Sequence, residues 1–107
     1  MFCKQDLSNY SQILPGISKK ALVYGDNSLL CEFHLKQGSI IPPHKHPQEQ
    51  TGYLISGRLL FTSNENKFIA EPGSSWNFKA DVEHSAEVLE DSVAIELFSP
   101  IRQDYLT

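Results

Sequence analysis

Apolar and polar residues alternate along most of this chain in short runs instead of recurring every third or fourth position, so strands are expected and helices are not. The runs ALVYG, SLLCEFHL, TGYLIS, RLLFTS, KFIA, SSWNF, HSAEVL and SVAIELF each read as a strand. Turn residues separate them: Gly25-Asp26-Asn27, Gln37-Gly38, Ser56-Gly57, Asn64-Glu65-Asn66, Pro72-Gly73 and Glu90-Asp91. Many short strands punctuated in this way predict an all-β sandwich or barrel. Ser56-Gly57 supplies the positive φ of a tight hairpin, and Asn64-Glu65-Asn66 reads as a polar loop tip. In the last run, Val93, Ile95 and Leu97 share one face and Ala94, Glu96 and Phe98 the other. The unbroken apolar set is expected against the core or a partner sheet, which leaves Glu96 and Phe98 either in solvent or at the mouth of a cavity.

At 107 residues the chain suffices for one domain and one core, and is short for two. The net charge of −4 is mild, and no basic stripe suits nucleic acid. The first thirty residues hold no long apolar run behind positive charge, so neither a signal peptide nor a membrane span is expected. Cys3 and Cys31 are too few for a disulfide framework and fit a reduced, cytoplasmic chain. Cys31, inside LLCEF, reads as a buried small hydrophobe.

The candidate chemistry lies in HKHPQEQ, residues 44–50. On an extended strand His44, His46 and Gln50 leave one side, and Lys45, Pro47 and Glu49 the other. Two imidazoles and an amide oxygen that converge are suitable ligands for a divalent transition metal, and His84 lies in a similar setting further on. Parity favours Gln50 over Glu49 as the fourth ligand, although a bulge would reverse the assignment. Three neutral imidazoles and an amide leave the full +2 on the ion, where a carboxylate ligand would reduce it. Such imidazole-rich sites accept Zn, Ni, Fe, Mn, Co or Cu. His34 shares its face with Glu32 and Lys36 and reads as solvated. Tyr53, Trp76 and Phe78 read as core or cavity wall.

Taken in order, Gly38, His44-x-His46, Gln50 and Gly57 resemble the first cupin motif, and Gly73 with His84 resembles the second. The resemblance spans nearly the whole chain and implies one cupin-type jelly-roll barrel over 1–107, its core at about 20–105. It implies one divalent metal held by His44, His46, Gln50 and His84. Three positions depart from the pattern: Gln50 stands where Glu is usual, Lys79 and Asp81 where Pro and Gly are, and Val88 where Asn is. The first changes the charge of the site; the others bear on the turn that places His84. The phrases HPQEQTGYLISG and FSPIRQDYL resemble the small cupins related to the pectin-degradation protein, which linearise unsaturated uronates. Carried over, that likeness makes Glu96 (where Asp is usual), Phe98 and Arg102 line the active site. It implies a small anionic substrate and a homodimer, with the strand around Ala21 to Tyr24 as the candidate interface. Two other functions stay open: a metal-dependent dioxygenase of a small organic substrate, and a non-catalytic small-molecule binder.

Overall fold

Two long strands organise the molecule. In the computed structural model, which describes residues 1–106, β5 (Glu49–Ser63) and β8 (His84–Ser99) run antiparallel along almost their whole lengths. The domain expected over 1–107 thus ends one residue beyond them, at Thr107. The remaining described strands are β1 (Ser11–Leu14), β2 (Ile17–Tyr24), β3 (Leu29–Leu35), β4 (Ile40–His44), β6 (Asn66–Ala70) and β7 (Ser75–Phe78). A short 3-10 turn, Gln103–Tyr105, follows β8.

The end of β8 nearest Ser99 pairs with β3, which continues through β2 to β1; the facing end of β5 pairs with β7. At their other ends β8 pairs with β4 and β5 with β6. Each long strand therefore belongs to both walls of a jelly-roll barrel, and the side chains between the walls form the core. Ile17, Leu29, Cys31, Leu54, Leu59 and Phe98 are the largest of the fully buried side chains. The barrel starts earlier than expected, because SQIL adds an edge strand through the tight turn at Gly16. No helix among the described residues is long and apolar enough to cross a membrane.

Two expected turns are absent. TGYLIS and RLLFTS form a single strand, and so do HSAEVL and SVAIELF. Ser56-Gly57 does have positive φ, at +94° on Gly57, but it makes a bulge in β5 and no hairpin. The bulge has a clear purpose. Inward residues of β5 are even-numbered before it (Gln50, Gly52, Leu54) and odd-numbered after it (Leu59, Phe61), so one strand turns its apolar side inward in both walls. A Cβ on Gly57 would lie 2.1 Å from Ser92 Oγ and 2.4 Å from the Asp91 carbonyl. Gly57→Ala is therefore expected to destabilise the fold by on the order of 1–3 kcal/mol, read from urea unfolding. A midpoint equal to the parent's would contradict this.

The expectation for β8 is reversed on one side. Ala94, Glu96 and Phe98 are buried and face the interior, whereas Val93 and Ile95 are half-buried and Leu97 is exposed. The apolar stripe lies on the outer surface. Ala94 and Phe98 already fill the inside, so the core has no need of it.

Candidate metal centre

His44 ends β4, His46 lies in the following loop, Gln50 is the second residue of β5, and His84 opens β8. The parity argument assumed one extended strand, and no single strand carries all three. The chain turns between His44 and Glu49, and strand pairing sets His44 opposite His84. One ring nitrogen from each of His44, His46 and His84 lies within 4.8 Å of the others. Two metal–nitrogen bonds of about 2.0–2.1 Å span at most ~4.2 Å, so closure on one ion asks for side-chain shifts under about 1 Å.

The loop that delivers His84 also absorbs a departure from the cupin pattern. Asp81, where glycine is usual, adopts φ +62°, a left-handed conformation that Asp tolerates. Its N–H donates to the His46 carbonyl at 2.8 Å, which ties the two ligand loops together.

Each histidine is oriented by the same device. Nδ1 of His44, His46 and His84 lies 2.9 Å from the carbonyl oxygen of Pro42, Gln48 and Val82, respectively. A carbonyl only accepts, so each Nδ1 carries the proton and each Nε2 presents a lone pair. Two consequences fit a cation. His84 Nε2 is buried without a hydrogen-bond partner among the described residues. His46 Nε2 lies 3.0 Å from Gln50 Oε1, which brings two acceptors together with no hydrogen between them. A shared metal satisfies both observations. Gln50 is buried and Glu49 exposed, so Gln50 is the residue at this site.

Burial also favours the neutral form of His46 and His84. It pushes the His84 pKa down to about 4, helped by the neighbouring His44, His46 and Arg102 charges, and His46 moves the same way from burial and then Arg102. In the unfolded chain these groups take protons near 6.5, while His84 in the fold refuses one until about pH 4. Metal-free protein is therefore expected to lose stability as pH falls through this window, by on the order of 3 kcal/mol for His84. Melting curves of chelator-treated protein check this against His84→Leu. A pH slope shared by parent and variant would assign the effect elsewhere.

Glu96 and Phe98 point inward from β8, as one of the two open alternatives required. Glu96 Oε1 accepts from Gln50 Nε2 at 2.6 Å and from Trp76 Nε1 at 2.7 Å. Burial raises its pKa; the bonds from Gln50 and Trp76, and the Arg102 charge, oppose that. Phe98 packs edge-on against His46 at 5.9 Å between centroids. Arg102, just past β8, stacks on Tyr105 (3.9 Å to the centroid) and near Phe98 (5.5 Å), and its Nε lies 3.3 Å from Asp104 Oδ1. The two terminal nitrogens of its fork make no hydrogen bond among the described residues, and they suit a carboxylate. Glu96, Phe98, Arg102 and Tyr105 line one cavity of about 560 Å³ together with His44, Gln50 and His84, the size of a small-molecule site.

His34 lies outside this cavity, bonded to Glu32 at 2.8 Å and packed at a tilt against Tyr10 with ring centroids 4.4 Å apart, so its solvated reading becomes half-buried. Sequence reasoning passed over two residues here. Lys19 is buried at the cavity wall and donates to the Tyr105 carbonyl at 2.6 Å. Gly52 carries the one signal available in advance, since glycine inside a strand marks a close approach.

Comparison with known proteins agrees with this fold. The family model described as "Cupin domain" (Cupin_2) matches residues 31–99. The chain belongs to the Cupin_2 family. This cupin is 29% identical over 103 residues to the pectin degradation protein KdgF of Dickeya dadantii (strain 3937), covering 94% of each chain. It superposes on KdgF from Halomonas sp. with a TM-score of 0.91 and 28% identity, over 97% of this chain and 98% of that one. An RmlC-like cupin from Shewanella frigidimarina superposes equally well (TM-score 0.91) at 20% identity, covering 97% of this chain and 94% of that one, a likeness of fold alone. The fold and the three-histidine site together indicate a metal site in this cupin.

Proposed function

We propose that this cupin is a metal-dependent enzyme that opens or isomerises a small unsaturated or keto sugar acid, with the ion held by His44, His46, Gln50 and His84. One observation carries the reading: the unpartnered Nε2 of His84 shares a cavity with the unused fork of Arg102. A cation site and a carboxylate site so disposed fit a substrate with an acid at one end and an oxygen to be polarised at the other. The likeness to pectin-degradation KdgF supports a uronate. When bound, a divalent ion supplies positive charge that polarises a hydroxyl or carbonyl oxygen and favours its anionic form.

The chain's own residues do the rest. Arg102 orients the carboxylate through a two-pronged hydrogen bond, held flat by Tyr105 and Phe98. Phe98 walls the space between His46 and Arg102. Glu96, whose Oε1 is tied, takes and returns a proton through Oε2. Ring opening of an unsaturated uronate breaks the bond between the anomeric carbon and the ring oxygen, turns the anomeric hydroxyl and the released enol oxygen into carbonyls, moves the hydroxyl proton to the former alkene carbon, and consumes no oxidant. The test is product NMR of metal-loaded protein with an unsaturated uronate beside an oxygen electrode. Linearised product without oxygen uptake supports the reading. Oxygen-dependent turnover would favour the dioxygenase alternative, and a zinc-loaded, fully active enzyme excludes it. Binding without turnover would leave the non-catalytic module.

The outer apolar stripe supports a homodimer. Val23 pairs with Leu30 and Leu30 with Leu97, while Ile95 pairs with Tyr53, so one apolar row crosses β2, β3, β8 and β5. It meets the candidate interface at residues 21–24. Light scattering is expected to give twice the 12.1 kDa chain mass, and a monomer at micromolar concentration would contradict it. The two free thiols, Cys3 and Cys31, support a cytoplasmic setting.

A further inference from the structure

Gln50 is an amide, and an amide can turn either its oxygen or its NH2 towards the histidines. Only the oxygen serves a metal. The choice is made by Glu96 Oε1, which lies 2.6 Å from Gln50 Nε2. That oxygen also accepts the Trp76 indole N–H at 2.7 Å, so it has only acceptor capacity to offer Gln50. Gln50 Nε2 is therefore drawn to Glu96, and Oε1 is left 3.0 Å from His46 Nε2.

Trp76 reaches Glu96 across β5. Gly52 pairs with Trp76 of β7 on one side and with Glu96 of β8 on the other. All three residues are buried, and Gly52 lies two positions beyond Gln50 on the same inward face. A Cβ at Gly52 would stand 2.2 Å from both Cε2 and Nε1 of the indole. Its φ lies outside the left-handed region, so the backbone makes no demand for glycine here. The demand is spatial: with no side chain between them, the indole lies over the strand and its N–H meets the carboxylate.

We propose that Gly52, Trp76 and Glu96 form a positioning relay that holds the Gln50 amide oxygen towards His44, His46 and His84 and thereby sets the metal affinity of the site. It rests on the metal-binding reading above and adds three residues that touch no metal. It also accounts for a neutral ligand where cupins usually carry Glu. A carboxylate at position 50 would put two acidic oxygens about 2.6 Å apart beside Glu96.

The test is zinc affinity of the full chain, measured by competition with a chromophoric chelator, with the visible spectrum of the cobalt-loaded protein as a second readout. Trp76→Phe keeps a ring and removes the N–H. Gly52→Ala removes no polar group but displaces the indole. Both are expected to weaken zinc by roughly 10- to 100-fold, the usual scale for residues that orient metal ligands, and to alter the cobalt spectrum. Glu96→Leu should fall with them. Glu96→Gln keeps an oxygen that accepts both hydrogens and should stay close to the parent. Should Gly52→Ala fail to fold, the Trp76 and Glu96 variants decide. Parent-like zinc affinity in Trp76→Phe and Glu96→Leu would overturn the relay, as would equal losses in Glu96→Gln and Glu96→Leu. A parent chain that binds no zinc or cobalt would instead overturn the metal reading beneath it.

Discussion

The His44→Ala/His46→Ala double variant should be purified without stoichiometric metal, and should fold nonetheless. These two imidazoles supply half of the proposed donor set, and each is fixed by its Nδ1 bond to a backbone carbonyl, so its Nε2 is pre-aimed. Removing both leaves His84 Nε2 and Gln50 Oε1, too few to hold a transition ion at ordinary concentrations. Neither side chain belongs to the apolar core, so the barrel should survive. Gln50→Ala removes one ligand of four and should weaken metal without abolishing it. A second readout follows from linkage. At a hundredfold excess over the dissociation constant, a ligand of the folded state adds about 2.7 kcal/mol, so chelation should lower the melting temperature of the parent and leave the double variant unmoved. Undiminished metal in the double variant would remove the site.

Replacing Arg102 by Lys should damage turnover almost as much as replacing it by Ala. Lysine keeps the charge but loses the planar fork and the stacking on Tyr105 and Phe98 that holds it. Loss of a desolvated carboxylate contact is expected to cost roughly 2–5 kcal/mol in transition-state binding. Metal content should stay near the parent value, because Arg102 lies beyond β8 and is not one of the residues proposed to hold the ion. Glu96→Gln should lower kcat with little change in KM, since its amide still accepts from Trp76 and Gln50 but cannot carry the proton. Steady-state kinetics on an unsaturated uronate check all of these. Parent-like kinetics in every variant would make the tail structural.

Strand content and the four converging residues were legible in the sequence because both follow from side-chain alternation and turn chemistry. The long strands were not. A bulge residue and a hairpin residue share the same demand for positive φ, so Ser56-Gly57 could not announce which it served. Likewise the apolar set Val93, Ile95, Leu97 is as regular as the buried set opposite it, and only three-dimensional packing tells which side the core occupies. His46 was found although it lies in a loop, because the turn between His44 and Glu49 happens to preserve the strand parity of Gln50. Trp76 reads in sequence only as core or cavity wall and Gly52 is passed over, because their meeting with Glu96 depends on registers between three strands, which no single segment encodes. Asp81 shows the converse: its departure from glycine bears on the turn that places His84, yet Asp reaches a left-handed φ there.

The most direct test of the central claim is the rate at which purified protein consumes an unsaturated uronate, measured before chelation, after chelation and after metal is restored. A metal-dependent sugar-acid enzyme should act, fall to background when stripped, and recover on addition of one equivalent of a divalent transition ion. A rate indifferent to stripping, or no reaction in the fully loaded protein, would contradict it.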